Sequence, residues 1–158
     1  MAVSEAGISA IGVKLGYAVE ATAGTRPTTD YTWLERCNSI DAISLDAEQI
    51  DASALEDYAS RYVAGRQDTG GTWNITFNLC NEVLTQLQAM MTAYEALTGG
   101  KGMWFEVWSP KRTNGYFVKA QPPKVLPAPE ESQNSLETIQ ITFTIEQVEG
   151  FATGVEPA

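Results

Sequence analysis

The chain has 158 residues, enough for one domain with a sizeable core, and its 44% hydrophobic content is that of a globular protein. Its 10 basic residues against 20 acidic ones give a net charge of -10, which disfavours tight binding to nucleic-acid phosphates or to an anionic lipid surface. It has no histidine, and so lacks the commonest general base, metal ligand and pH switch.

Residues 1–10 mix small, polar and apolar types and read as an arm. No basic-then-apolar leader and no apolar run of membrane-spanning length is present, so the chain is expected to fold in a cytoplasm. From 11 to 19, Ile11, Val13, Leu15, Tyr17 and Val19 alternate with Gly12, Lys14, Gly16 and Ala18, which predicts a half-buried strand. Its second face is small enough to let another group pack closely. Residues 20–32 are loop by composition, and 33–37 and 40–45 are strand candidates. Cys37 and Cys80 lie far apart in a chain of cytosolic character and are expected as free thiols.

Residues 46–71 read as one long polar loop with hinges at Gly65, Gly70 and Gly71. Six carboxylates, Asp41, Asp46, Glu48, Asp51, Glu56 and Asp57, run without a base before Arg61 and Arg66, so charge changes sign along it. The next stretch, 72–79, is the clearest strand: Trp73, Ile75, Phe77 and Leu79 face one side, Thr72, Asn74, Thr76 and Asn78 the other. The period then becomes helical over 81–98, through Val83, Leu84, Leu87, Met90, Met91, Tyr94 and Leu97, with Asn81 as N-cap and Gly99-Gly100 as the stop.

Residues 102–110 form a strand with apolar groups on both faces, followed by a turn with Asn114-Gly115 as the hairpin signal and a return strand over 116–120. Prolines make 121–132 an edge or crossing connection. From 136 to 148, Ile139, Ile141, Phe143 and Ile145 alternate with Thr138, Gln140, Thr142, Thr144 and Glu146; residues 149–158 read as a C-terminal arm. The whole is one α+β domain, mainly β: a β-sandwich or partly open barrel with one flanking helix and arms at both ends.

No constellation in this pattern carries catalysis. The adjacent carboxylates Glu56-Asp57 and Glu130-Glu131 point to opposite sides of an extended chain. There is no G-x-S-x-G elbow, no triad without histidine, and no EF-hand spacing. Hence no catalytic, cofactor-binding or metal residue is assigned, and the chain is not read as an enzyme. Lys111 and Arg112 at a turn are either solubilising charge or the edge of a stacking platform. The uncharged Thr/Asn/Gln faces are either a wet, non-adhesive surface or simple strand propensity.

The stretch from Ile50 to Leu79 resembles the central segment of major tail tube proteins of long-tailed bacteriophages and prophages. The residues that carry the likeness are Ile50, Asp51, Ser53, Tyr62, Val63, Gly65, Asp68 and Gly70; Ala64 stands where such proteins often carry proline. The resemblance implies a structural virion protein whose hexameric rings stack into the tail tube, with the 46–71 loop as the stacking element. Asp51, Glu56, Asp57, Arg61, Arg66 and Asp68 would then contact the next ring. Thr72, Asn74, Thr76, Asn78, Gln140, Thr142, Thr144 and Glu146 would line the lumen, through which genome DNA passes without tight binding. Implied partners are other copies of the chain, a tape-measure protein, and tail terminator and distal tail proteins; no cofactor and no membrane are implied. The implied place is the virion tail, assembled in the bacterial cytoplasm. Two alternatives remain: an inner-tube subunit of a contractile injection or type VI secretion machine, and a non-catalytic β-sandwich binding module using Trp33, Trp73, Trp104 and Trp108.

Overall fold

The structure, a computed structural model, describes residues 7–157; residues 1–6 of the expected N-terminal arm lie outside them. The elements in chain order are β1 (Lys14–Val19), β2 (Thr32–Leu34), β3 (Cys37–Ile40), β4 (Asp46–Asp51), β5 (Tyr62–Asp68), β6 (Thr72–Asn78), α1 (Asn81–Glu95), β7 (Met103–Trp108), β8 (Asn114–Gln121) and β9 (Thr138–Thr153). Seven strands form an antiparallel sheet in the order β2-β1-β7-β8-β9-β6-β3, and β4-β5 form a separate two-stranded sheet. The fold is mainly β with one helix, as expected, and the large sheet is an open, strongly curled one.

The curl follows from two observations. β2 and β3 lie at opposite edges of the sheet, yet only Glu35 and Arg36 separate them. Three residue steps span at most about 11 Å, so the edges must come close together. In addition, the rings of Trp73 on β6 and Phe105 on β7 are 6.3 Å apart although three strand steps separate them; a flat sheet would put those strands about 14 Å apart. Phe143 on β9 completes this cluster, 4.8 Å from Phe105. Leu15, Ile75, Phe77, Met103, Ile139 and Ile141 fill the same concave side. α1 adds Val83, Leu87 and Met90 to it. Gln86 Oε1 accepts a hydrogen bond from the Glu35 N–H at 3.0 Å, tying the helix to the edge-to-edge connection.

Several boundaries differ from the sequence reading. β1 starts at Lys14, with Ile11 78% exposed, and Val19 leaves the core. Trp33 closes over Gly16, where a Cβ would meet its ring, so the small face does receive a close neighbour. The 33–37 strand is broken at Glu35-Arg36, with Arg36 at φ 57, and 41–45 are irregular. Cys80 occupies the helix N-cap without a side-chain bond, making Asn81 the first helical residue, and α1 stops at Glu95. Asn114 and Gly115 belong to β8 rather than to the turn. Residues 149–153 are not an arm: β9 continues to Thr153, paired with Asn114. Both cysteines are free, as expected.

Replacing Phe105 with Ala should cost about 3–5 kcal/mol, because it opens a cavity in the aromatic cluster. Gln140→Ala on the convex face should stay within about 0.5 kcal/mol. Urea denaturation of the two variants checks both; equal losses would contradict the one-sided core.

Candidate functional site

Residues 46–71, read as a loop, are mostly a projecting hairpin. β4 pairs with β5 from Asp46↔Asp68 to Asp51↔Tyr62, and every residue of both strands except Gly65 is exposed. Hydrophobic alternation is missing because neither face is buried. Gly65, expected as a hinge, lies inside β5: with Arg66 it forms a bulge opposite Glu48, where it lets the Glu48 carbonyl approach. Gly70 and Gly71, both at φ 79, make the turn into β6, a conformation that side chains with a Cβ disfavour.

The hairpin tip is ordered by polar bonds. Arg61 N–H donates to Ser53 Oγ at 2.8 Å, Ser53 N–H to Asp51 Oδ1 at 2.9 Å, and Ala54 N–H to Asp57 Oδ2 at 2.8 Å. The bonds from Ser53 hold the Asp51 carboxyl below its ordinary pKa. Asp57 pairs with Arg61 at 3.1 Å within the same tip, and Asp68 Oδ1 accepts the Gly70 N–H. Of the six charged residues singled out on this segment, Glu56 and Arg66 therefore remain without an ion-pair or hydrogen-bond partner among the described residues. The tip also presents Leu55 and Tyr58, 109% and 106% exposed, and Ile50, Tyr62 and Val63 are exposed along the strands. The sequence reading missed Leu55 and Tyr58, which are isolated apolar residues in a polar run. A two-stranded hairpin alone is marginal in water, and Asp46 directly opposite Asp68 weakens it further. The projection thus leaves these apolar groups bare to solvent.

The second surface is the convex face of β6 and β9. Thr72 pairs with Thr144, Asn74 with Thr142, Thr76 with Gln140 and Asn78 with Thr138, so the predicted polar residues form one continuous patch. Two hydrogen bonds order part of it: Thr142 Oγ1 donates to Asn74 Oδ1 at 2.7 Å, and Asn38 Nδ2 on β3 to Asn78 Oδ1 at 2.8 Å. Glu146 is a bulge residue of β9 whose Oε1 accepts from Gln121 Nε2, with Lys119 Nζ 3.8 Å from Oε2. The patch is thus uncharged apart from an edge that is internally paired.

Beyond Lys119 the same convex face is covered. Ala18, Trp104 and Phe117 lie beneath Tyr31 and Trp33, and Arg26 stacks 4.0 Å over the Phe117 ring. Arg26 also pairs with Glu149, the second bulge residue of β9. Two buried carboxylates anchor this cover. Glu20 accepts from Gly102 N–H at 2.6 Å and Trp104 Nε1 at 3.0 Å, with Lys119 Nζ at 3.4 Å. Burial alone would raise its pKa, but these donors and the Lys119 charge hold it below the ordinary value. Glu106 Oε1 accepts from Val155 N–H at 2.8 Å, while Oε2 has no partner among the described residues. Burial therefore raises the Glu106 pKa, with Val155 and Arg26 opposing it only in part. Among the described residues no group of three or more Cys, Asp or Glu could hold a metal, and no helix is long and apolar enough to cross a membrane. Trp73 and Trp104 are buried, whereas Trp33 and Trp108 are half-buried with their ring centroids 6.2 Å apart.

No family model and no curated protein matches the chain. Solved structures do. A chain from an extracellular contractile injection system, described as the PVC sheath/tube terminator in the extended state, matches with TM-score 0.62 and 12% identity over 95% of this chain and 100% of its own. A chain of the PVC sheath-tube complex in the extended state matches with TM-score 0.55 and 10% identity over 89% of each. A chain of the anti-feeding prophage baseplate gives TM-score 0.51 and 10% identity over 94% of this chain and 97% of its own. The chain therefore shares the fold of these injection-system and anti-feeding prophage chains.

Glu106 has a testable pH signature. Its folded pKa is raised, so its contribution is full below the ordinary carboxylate pKa and is lost as pH rises through the folded value. Glu106→Gln keeps an acceptor for Val155 and removes the buried charge. Its stability relative to the parent, from urea denaturation, should be higher at about pH 8 than at about pH 4; an equal difference at both would contradict the assignment.

Proposed function

We propose that this chain is a structural, non-enzymatic subunit of a phage-tail-like tube. The observation that carries the reading is the presence of two surfaces in one subunit: a separate hairpin with no face of its own to bury, and a continuous uncharged polar patch on the curled sheet. The likeness to tube, terminator and baseplate chains of contractile injection systems supports the class. In this reading hexameric rings stack through the hairpin, with Asp51, Glu56, Asp57, Arg61, Arg66 and Asp68 at or near the junction. Thr72, Asn74, Thr76, Asn78, Gln140, Thr142, Thr144 and Glu146 line the lumen. Hydroxyls and amides keep that wall hydrated, while the absence of lysine from this set avoids fixed cations that would retain DNA. Edge strands left open in one subunit pair with those of its neighbours. The same chain works in a virion tail with tape-measure, terminator and distal tail proteins, and takes no cofactor.

A second reading places the subunit in a contractile injection machine, as inner tube or terminator. It is favoured by the sheath/tube terminator likeness, which spans 95% of this chain.

Negative-stain microscopy of the purified protein should show sixfold rings and stacked tubes. Single cysteines placed at Thr76 or Thr142, in a background lacking Cys37 and Cys80, should react with a bulky maleimide in free subunits and resist it in capped tubes. Full reactivity in capped tubes would contradict the lumen assignment; persistent single subunits would contradict the tube.

A further inference from the structure

At the foot of the hairpin lies an open groove of about 620 Å3. Ile40, Ile43, Val107, Tyr116 and Phe151 wall it, and Trp73 lines it from the core side. Two charged residues stand in its lining, Arg112 and Asp41. Arg112 Nη2 donates to the Val107 carbonyl at 3.3 Å, and its guanidinium lies 5.6 Å from the Phe151 ring. Its Nε is buried and has no partner among the described residues. A buried N–H without an acceptor is costly, and points to a group that arrives from outside the subunit.

The hairpin tip has the matching chemistry. Leu55 and Tyr58, both fully exposed, flank Glu56, whose carboxylate has no ion-pair partner among the described residues. Asp57 is already held by Ala54 and Arg61. Resting on the tube-subunit reading, we infer that the groove receives the hairpin tip of a second copy of this chain. Leu55 and Tyr58 enter between the apolar walls and Glu56 meets Arg112. The Tyr58 hydroxyl supplies a donor on the side of Asp41.

A chain does not fill its own groove. β4 begins at Asp46, three residues beyond the groove residue Ile43, and runs outward for six residues, a rise of about 20 Å. The tip therefore lies far from the foot of the same hairpin. A tip-to-foot contact joins two different patches of the chain, so each copy leaves its own tip free for the next, and the contact propagates along a stack.

Charge reversal tests this on the full chain, with assembly followed by sedimentation velocity. Glu56→Arg and Arg112→Glu should each raise the concentration for half-assembly at least about tenfold, since each places like charges in a desolvated contact. An equimolar mixture of the two variants should assemble close to the parent, because each tip then faces an opposite charge. Leu55→Asp, at a fully exposed position where folding is not at risk, should lose association to a similar extent. If the parent assembles and the variants assemble equally well, or if the mixture fails to recover, the groove assignment is overturned while the tube-subunit reading stands. Occupation of the groove by the chain's own first residues would give that same wild-type behaviour. A parent that stays single at all concentrations overturns both.

Discussion

Two residues, Glu35 and Arg36, join strands at opposite edges of a seven-stranded sheet. No flat sheet can satisfy that connection, so the sheet curls and acquires an inside. Trp73, Phe105 and Phe143 meet there across strands that would otherwise be far apart, and α1 adds its apolar stripe. The outside is then divided. Residues 20–33 and the segment after β9 cover one half, held by Glu20, Glu106 and the Arg26–Glu149 pair. The other half, on β6 and β9, stays open and polar.

The hairpin is the counterpart of that economy. All apolar alternation in the chain is spent on the curled sheet, and β4–β5 keep only ladder bonds and a polar tip. In a free subunit its exposed Ile50, Leu55, Tyr58, Tyr62 and Val63 have nothing to pack on. In the contact proposed above, its apolar groups and the groove at its foot are the two halves. The polar patch has the opposite character: it carries hydroxyls and amides, of which Thr142 bonds to Asn74 and Asn78 is bonded by Asn38.

Elements with one buried face were legible in the sequence. β6, α1 and the first half of β9 each show the period of their state, because the core selects every second residue or every third and fourth. The hairpin was not, since a strand pair exposed on both faces leaves no hydrophobic period to read. The continuation of β9 was hidden for a different reason. Bulges at Glu146 and Glu149 shift the alternation twice, so residues 149–153 look like a polar tail although they pair with β8. The helix N-cap was misplaced by one because backbone geometry put Cys80 there without any side-chain bond. Of the site, the polar patch could be read directly. The tip could not, because lone Leu55 and Tyr58 gain meaning only once the chain places them at the end of a projection. The internal Asp57–Arg61 pair likewise depends on the tip turn that brings them together.

Amide hydrogen exchange on free subunits and on assembled material tests the central claim most directly. In the proposed assembly the curled sheet is complete in the subunit and the hairpin becomes stable only against another copy. Amides of β6 and of residues 138–144 should therefore exchange slowly in both samples, while those of 46–68 should exchange fast in the subunit and slowly after assembly. A hairpin equally protected in both, or one still fast after assembly, would contradict it.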